Sequence, residues 1–201
     1  MITIVDYGIG NLGSVLNMLK RIGVEGEVRS DHEGIKNATK LILPGVGAFD
    51  TAMNELKQRG LIDILNQKVV SEKIPVMGIC LGMQLLLEKS EEGIENGLGW
   101  IPGESRQFKF EDEKLKVPHM GWNYLGSIGN HSILHGLEKA KFYFVHSYYA
   151  VPTNPENSLL TTEYGGHFCS GLIKENIFGF QFHPEKSHKF GMKLFENFAK
   201  I

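Results

Sequence analysis

Residues 75–84 have the sequence PVMGICLGMQ. The apolar run that ends at Ile79 predicts a buried strand, and the leucines from Leu81 to Leu87 predict a helix. Cys80 stands between them, with a glycine two residues before it and another two residues after it. The pattern Gly-x-Cys-x-Gly is typical of a nucleophile elbow, a sharp strand-to-helix turn that projects a reactive side chain, and a helix start favours a thiolate. A buried structural cysteine at a strand end is the alternative interpretation.

The composition limits the class of protein. At 201 residues, the chain is expected to form a single domain, residues 1–201, with its own hydrophobic core. A formal net charge of −2 does not indicate binding to nucleic acid or to a membrane surface, and no apolar stretch approaches the roughly 20 residues of a membrane span. The first residues predict a strand, and we expect no basic leader before it. The two cysteines, Cys80 and Cys169, stand far apart and in no metal-ligand spacing. We therefore expect a cytoplasmic protein without metal or other cofactor.

Strand and helix alternate through the first half of the chain. Apolar runs predict strands at Ile2–Val5, Glu27–Ser30, Leu41–Leu43 and Ile74–Ile79. Helical periodicity appears between these strands, at Leu12, Val15, Leu16, Leu19 and Ile22, and again at Phe49, Met53 and Leu56, with a break at Gly60 before Leu61, Leu65 and Val69. Uninterrupted apolar strands that alternate with helices indicate an open parallel sheet.

The second half of the chain is richer in strands. Strands are predicted at Arg106–Phe110, Leu115–Val117, Lys141–Val151, Ser158–Thr162, Phe168–Ile173 and Ile177–Phe182. Short turns join them, so we expect an antiparallel or mixed extension of the same sheet, followed by a closing helix with Phe190, Leu194 and Phe198 on one stripe. The predicted fold class is α/β, a single-domain mixed but largely parallel sheet flanked by helices.

A thiol nucleophile needs a base, and the base needs a group that orients it. His183 follows the apolar alternation of Phe180 and Phe182, which places it at the end of a strand, and Glu185 stands two residues further on. A histidine at a strand end beside a surface glutamate is the plainer interpretation of this segment alone. Cys80 lies at the end of another strand, and α/β sheets form their sites where neighbouring strands end. The presence of both residues therefore favours a catalytic site.

A glycine-rich turn, residues 44–47, follows the strand Leu41–Leu43 and has the sequence PGVG. Closely spaced glycines after a strand can present backbone N–H groups to a developing oxyanion. On its own the segment could equally be a simple turn. Together with a nucleophile elbow and a His–Glu pair, it indicates acyl transfer through a thioester.

These motifs carry a resemblance to a known family. Residues 78–84 (GICLGMQ) and 181–185 (QFHPE) resemble the class I (triad) glutamine amidotransferases. Three further segments, residues 6–11 (DYGIGN), 44–49 (PGVGAF) and 117–123 (VPHMGWN), with 183–187 (HPEKS), resemble the glutaminase subunits of imidazole glycerol phosphate synthase, called HisH. The resemblance runs over the full chain, and no motif is missing.

The resemblance implies a role for each matching residue. Cys80 would attack the side-chain amide of glutamine, His183 would act as base and then as acid, and Glu185 would orient His183. The oxyanion hole would be formed by the N–H of Leu81 and an N–H of the Val46–Gly47 loop. Glutamine would be held by Gly47, Gln84, His146, Ser147 and Tyr148.

Other segments are interpreted as an interface or as plain surface. Trp122 and His119 follow a turn stiffened by proline, and an exposed tryptophan is a strong anchor at protein contacts, although a core tryptophan is as plausible from the sequence. The resemblance places Asn11, Tyr143 and Lys186 at the partner too. Cys169 is interpreted as a small buried hydrophobe, and the segments Glu91–Glu92 and Glu111–Lys114 as solvated loops.

The implied partner is a separate cyclase subunit, a HisF-type (β/α)₈ barrel that uses the ammonia to make imidazole glycerol phosphate in histidine biosynthesis. The chain has no phosphate-binding loop of its own, so that partner must be another polypeptide in a heterodimer. Three alternatives stay open. They are a paralogous glutaminase that supplies another synthase, such as a surface-sugar amidotransferase; a cysteine peptidase or hydrolase that acts alone; and a silent scaffold, against which the intact Cys80, His183 and Glu185 argue.

Overall fold

The computed structural model of the protein describes residues 1–111, 114–126 and 129–201. Asp112 and Glu113 of the predicted solvated loop lie outside that part. The strands within it are β1 (Ile2–Val5), β2 (Gly26–Arg29), β3 (Leu41–Gly45), β4 (Val76–Cys80), β5 (Lys89–Ser90), β6 (Gly103–Gln107), β7 (His119–Tyr124), β8 (Lys141–His146), β9 (Tyr148–Pro152), β10 (Ser158–Glu163), β11 (His167–Lys174) and β12 (Ile177–Phe180). The α-helices are α1 (Leu12–Arg21), α2 (His32–Lys36), α3 (Phe49–Gln58), α4 (Leu61–Asn66), α5 (Leu81–Leu85) and α6 (His188–Lys200).

Parallel strands form one half of the main sheet, in the order β2-β1-β3-β4-β12. The runs of β1, β3, β4 and β12 are buried on both faces, as expected for strands covered by helices on each side, while the edge strand β2 is only partly buried. Parallel strands end at the same edge, so β3, β4 and β12 deliver the residues that follow them to one place. The register makes that place compact, because Gly45 lies opposite Cys80 and Phe180 lies opposite Ile79.

Antiparallel strands extend the sheet, which confirms the predicted mixed α/β fold. β11 pairs antiparallel with β12, and β9 and β6 follow by antiparallel pairing, with β5 at the edge and β10 on β11. A second sheet has only two strands, the antiparallel pair β7 and β8. We call this pair the ribbon.

The single strand predicted for Lys141–Val151 is wrong, because the chain changes sheets in the middle of it. β8 ends at His146 in the ribbon, and β9 begins at Tyr148 in the main sheet. Ser147 lies between them, and its carbonyl accepts a hydrogen bond from the N–H of Phe108 (3.0 Å). The apolar pattern continues across this break because both strands have a buried face.

Other predicted elements also differ from those in the structure. Residues 115–117 form no strand; the ribbon strand β7 begins at His119, after Pro118, which has no N–H to donate to a ladder. The strand predicted at Arg106–Phe110 is β6, which starts and ends three residues earlier. The helix predicted through Leu87 ends at Leu85. The carbonyls of residues 85, 86 and 87 accept hydrogen bonds from the N–H groups of residues 98, 101 and 99, so the helix does not continue.

The core lies on both faces of the sheet. Alternate residues of each central strand face opposite ways, so that Ile42 packs with α1 and α6 while Leu41 and Leu43 pack with α3 and α4. Within the described residues, no helix has the length and apolar character needed to cross a membrane. The helices hold the parallel strands in place and leave their carboxyl edge open for a site.

Candidate active site

Cys80 occupies a strained turn between β4 and α5. Its backbone has φ 54° and ψ −108°, a conformation that side-chain-bearing residues rarely adopt. The glycines on either side allow this turn, since a Cβ at Gly82 would collide with the carbonyl of Leu43 and a Cβ at Gly78 would meet the carbonyl of Gly82. Strand, strained residue and helix follow one another as a nucleophile elbow requires.

His183 and Glu185 form a buried pair close to the end of β12. The imidazole Nδ1 and the Glu185 Oε1 are 2.8 Å apart, and both side chains are almost completely buried. The backbone N–H of His183 donates to the carbonyl of Tyr143 in the ribbon (2.9 Å), and Pro184 opens the short helical turn Pro184–Lys186 that carries the glutamate. Both the ring and its carboxylate partner are therefore fixed in place.

The electrostatic environment makes His183 a proton acceptor. Burial lowers the pKa of this imidazole, but interaction with Cys80 and the hydrogen bond to Glu185 outweigh burial and raise the pKa to about 10. The other ring nitrogen, Nε2, has no hydrogen-bond partner among the residues that the structure describes. One nitrogen thus holds the carboxylate, and the other is available to exchange a proton with the thiol.

A cavity of about 300 Å³ joins these groups. It is lined by Val46, Gly47, Cys80, Leu81, Gln84, Glu92, Pro118, Val145, His146, Ser147, Tyr148, His183 and Lys186. Every residue predicted to form the oxyanion hole or to bind glutamine lines it, and so does the thiol. Gly47 has φ +106°, a left-handed conformation that favours glycine, and Val46 is 43% exposed, so this loop lies at the surface beside the cavity.

Two glutamine side chains connect the cavity wall to Cys80. The Gln84 Nε2 donates to the carbonyl of Tyr148 (3.1 Å) and to the Gln181 Oε1 (3.2 Å). The Gln181 Nε2 in turn donates to the sulfur of Cys80 at 3.8 Å. Gln181 stands two residues before the His–Pro–Glu motif, and no role was predicted for it from the sequence, because nothing local shows that its amide faces the thiol.

Glu92 corrects the prediction of a solvated loop at Glu91–Glu92. Its side chain lines the cavity, and its Oε2 accepts a hydrogen bond from the N–H of Phe49 at 2.9 Å. Burial and the nearby Asp50 raise the pKa of this carboxyl, while the bond from Phe49 opposes them. Glu91, by contrast, is exposed, as predicted. The sequence of two adjacent glutamates in a loop does not indicate which of them lines a cavity and which is exposed.

The outer face of the ribbon carries most of the residues predicted to meet a partner. Trp122 is 44% exposed, stacks on His188 with ring centres 5.6 Å apart, and lies under the ammonium of Lys141. Tyr143 is its cross-strand neighbour, and the Lys186 Nζ lies 5.8 Å from the centre of the Tyr143 ring. Met120 and Tyr124, which the sequence analysis missed, extend the same face and are 61% and 63% exposed. Alternation along β7 would have indicated both.

Two of the predicted interface residues lie away from this face. Asn11 is exposed at the start of α1, where its side chain caps the helix by accepting from the N–H of Ser14. His119 is only 3% exposed, so its prediction as a surface contact is wrong. The cause is the strand period of two, which turns His119 and Asn123 inward where Met120 and Trp122 turn outward.

Cys169, His131 and His135 lie outside the cavity. His131 and His135 stand four residues apart, a His-x-x-x-His spacing that was overlooked in the sequence. His131 caps the short turn Ser132–Leu134 by accepting from the N–H of Ile133. In the part of the chain that the structure describes, no group of three or more His, Cys, Asp or Glu side chains could hold a metal ion. Cys169 is buried and unpaired, and burial raises the pKa of its thiol to about 11.

Comparison with known proteins agrees with this geometry. Residues 3–201 match the family described as Glutamine amidotransferase class-I. The chain is 54% identical to "Imidazole glycerol phosphate synthase subunit HisH 2" of Pseudomonas aeruginosa, over 100% of both chains. It is 57% identical to the protein of the same name from Methanococcus maripaludis, over 100% of this chain and 99% of that one.

Solved structures share the fold at much lower identity. A crystal structure described as a glutamine amidotransferase aligns over 100% of both chains with a TM-score of 0.77 and 19% identity. The PurLQS structure from Thermotoga maritima aligns over 99% of this chain and 97% of that chain, with a TM-score of 0.74 and 20% identity.

Proposed function

Because the chain belongs to the class I glutamine amidotransferase family and is similar over its full length to HisH subunits, we propose that it is the glutaminase subunit of an imidazole glycerol phosphate synthase. It hydrolyses glutamine to glutamate and ammonia through a thioester on Cys80. One observation carries the proposal: a strained elbow cysteine lines the same cavity as His183, which is bonded to the buried carboxylate of Glu185. Residues 1–201 then act as one glutaminase domain.

Each group of the site has a defined part in the reaction. The thiol of Cys80 passes its proton to His183 Nε2, Glu185 stabilises the resulting imidazolium, and the sulfur attacks the amide carbon of glutamine. The tetrahedral oxygen receives N–H groups from Leu81 and from the Val46–Gly47 loop. His183 returns the proton to the leaving nitrogen, so ammonia departs and a thioester remains. Water, activated by His183, then breaks the thioester and releases glutamate.

The ammonia goes to a separate cyclase subunit, a (β/α)₈ barrel that docks as a heterodimer. The outer face of the ribbon supports this placement, because Met120, Trp122 and Tyr124 form an exposed apolar stripe beside the cavity wall. Lys186 both lines the cavity and lies over Tyr143, so the docking face and the glutamine site share residues. A cytoplasmic location fits two cysteines that are both free thiols.

Labelling with a glutamine analogue tests the nucleophile. A diazoketone analogue of glutamine should alkylate Cys80 and leave Cys169 unmodified, as mapped by peptide mass spectrometry, and glutamine should protect Cys80 in proportion to its concentration. Cys169 is the internal control, because it is also a buried free thiol but lies outside the cavity. Label on Cys169, or no protection by glutamine, would contradict the assignment.

Glu92 is expected to bind the ammonium group of glutamine, since it is the acidic side chain among the cavity-lining residues. The substitution Glu92→Gln keeps the acceptor for the N–H of Phe49 but removes the charge. We expect the KM for glutamine to rise about tenfold or more, because a hydrogen bond to a charged group contributes roughly 1.5–3 kcal/mol, while kcat changes less. The matched control is Glu91→Gln, on the exposed neighbour, which should leave KM unchanged. An equal effect of the two substitutions would remove Glu92 from the binding site.

A further inference from the structure

A buried line of hydrogen bonds lies beneath the ribbon, and the proposed reaction assigns no role to most of it. His146 Nδ1 is 2.8 Å from the carbonyl oxygen of Tyr148, and His146 Nε2 is 3.0 Å from His119 Nδ1. His119 Nε2 is 3.3 Å from Asn123 Nδ2, which also donates to the carbonyl of Glu163 at 2.9 Å. The line thus begins at the cavity wall and ends on the ribbon strand β7.

Each member of the line has only one possible hydrogen-bonding state when both rings are neutral. A carbonyl oxygen only accepts, so His146 must donate from Nδ1, and its Nε2 must then accept. His119 must therefore donate from Nδ1 and accept at Nε2, where the amide of Asn123 donates. In every bond of the line, the donor is therefore on the Asn123 side and the acceptor on the Tyr148 side.

The surroundings keep both rings neutral and in place. His119 and His146 are 3% and 6% exposed and lie opposite each other across the ribbon. Burial lowers the pKa of His119 to about 4. Burial, together with the nearby His119 and His183, lowers the pKa of His146 to about 3, although the hydrogen bond to Tyr148 opposes them. His119 is also held between two rings, with centres 4.0 Å from Tyr164 and 4.8 Å from Phe144.

The line continues from the cavity wall to the nucleophile. The Tyr148 carbonyl that accepts from His146 also accepts from Gln84, which reaches Gln181 and through it the sulfur of Cys80. Cys80 and β7 are thus joined by an unbroken series of hydrogen bonds. The opposite face of β7 presents the exposed stripe at Met120, Trp122 and Tyr124.

We infer that His119 is a positioning residue for glutamine hydrolysis: its Nδ1–H donates to His146 Nε2, fixes the orientation of that ring and thereby holds the Ser147–Tyr148 wall of the glutamine site to the ribbon. The inference rests on the proposed function. It accounts for an inward-facing histidine on a strand whose outward residues are apolar, the reverse of the usual arrangement. His119 touches no reacting atom and acts only through His146.

Two substitutions test separately what the hydrogen bond of His119 and the packing of its ring contribute to glutamine hydrolysis. His119→Phe keeps an aromatic ring between Tyr164 and Phe144 but cannot donate to His146. His119→Asn loses the ring but retains a donor at the Nδ1 position. Glutamine hydrolysis is measured with the cyclase subunit present. We expect His119→Phe to raise the KM for glutamine about tenfold with kcat changed less than about threefold, and His119→Asn to stay within about threefold of the unsubstituted chain.

The matched control is His167→Phe, the same replacement at an exposed histidine of β11, which should leave both constants unchanged. A larger effect of His119→Asn than of His119→Phe would show that packing alone matters and would overturn the inference. Imidazole ¹⁵N NMR of the unsubstituted chain near pH 7 gives a second readout that needs no activity. It should show His146 protonated at Nδ1 and bare at Nε2; protonation at Nε2 would overturn the inference.

The two proposals fail in distinguishable ways. An unsubstituted chain that does not hydrolyse glutamine with its cyclase would refute the proposed function. An active chain in which His119→Phe has an unchanged KM would refute only the positioning role.

Discussion

Cys80→Ala should lower the rate of glutamine hydrolysis by about a thousandfold or more, because none of the other described residues that line the cavity carries a thiol that could form the thioester. Binding to the cyclase subunit should be unchanged. Alanine carries the same positive-φ strain as cysteine at this elbow, and the thiol is a small side chain, so the turn from β4 to α5 is expected to persist. Hydrolysis is measured as glutamate release in the presence of the partner, and binding by titration calorimetry.

The control for this experiment is Cys169→Ala. Cys169 is a buried free cysteine like Cys80, but it lies outside the cavity, in β11. That variant should retain glutamine hydrolysis within about threefold once its folded fraction is taken into account. Retained turnover in Cys80→Ala, or a loss of turnover of the same size in both variants, would contradict the assignment of the nucleophile.

Trp122→Ala should weaken the complex with the cyclase subunit by about 2 kcal/mol or more, roughly thirtyfold in Kd. The indole is 44% exposed, is held flat against His188, and lies at the centre of the apolar stripe between Met120 and Tyr124. A preordered aromatic side chain in such a place loses little entropy on binding and has much area left to bury. The Kd is measured by calorimetry or by fluorescence anisotropy of the labelled complex.

Val70→Ala is the control for a general effect of removing exposed apolar surface. Val70 is 46% exposed but lies near Asp63 and Lys174, away from the ribbon. Its substitution should leave Kd unchanged. A Kd unaffected by Trp122→Ala would remove the ribbon face from the docking surface, and so would an equal weakening by Val70→Ala.

The parallel half of the fold was predictable because each element there has its own local pattern. β3 and β4 are short apolar runs bounded by helices, and both were predicted from the sequence with boundaries close to those observed. The second half was less predictable because pairing there depends on distant parts of the chain. The change of sheets at Ser147 leaves no mark in the apolar pattern, since β8 and β9 each keep one buried face.

Some residues of the site were also predictable from local sequence motifs, and others were not. Cys80, His183 and Glu185 stand in short motifs, and the structure places Cys80 and His183 in the wall of one cavity, with Glu185 bonded to His183. Glu92 and Gln181 are positioned by tertiary contacts alone, and no spacing in the sequence indicates them. His119 was assigned to the wrong face of its strand, although the alternation of polar and apolar residues along β7 contains the information.

Ammonia release from glutamine tests the central proposal most directly. It is measured first with the chain alone and then with a purified imidazole glycerol phosphate cyclase subunit and its ribonucleotide ligand. We predict a low rate for the chain alone and a large rise with the liganded partner. A high rate that is indifferent to the partner would indicate a free-standing amidase, and silence in both conditions would indicate a glutaminase for another synthase; either result would contradict the account.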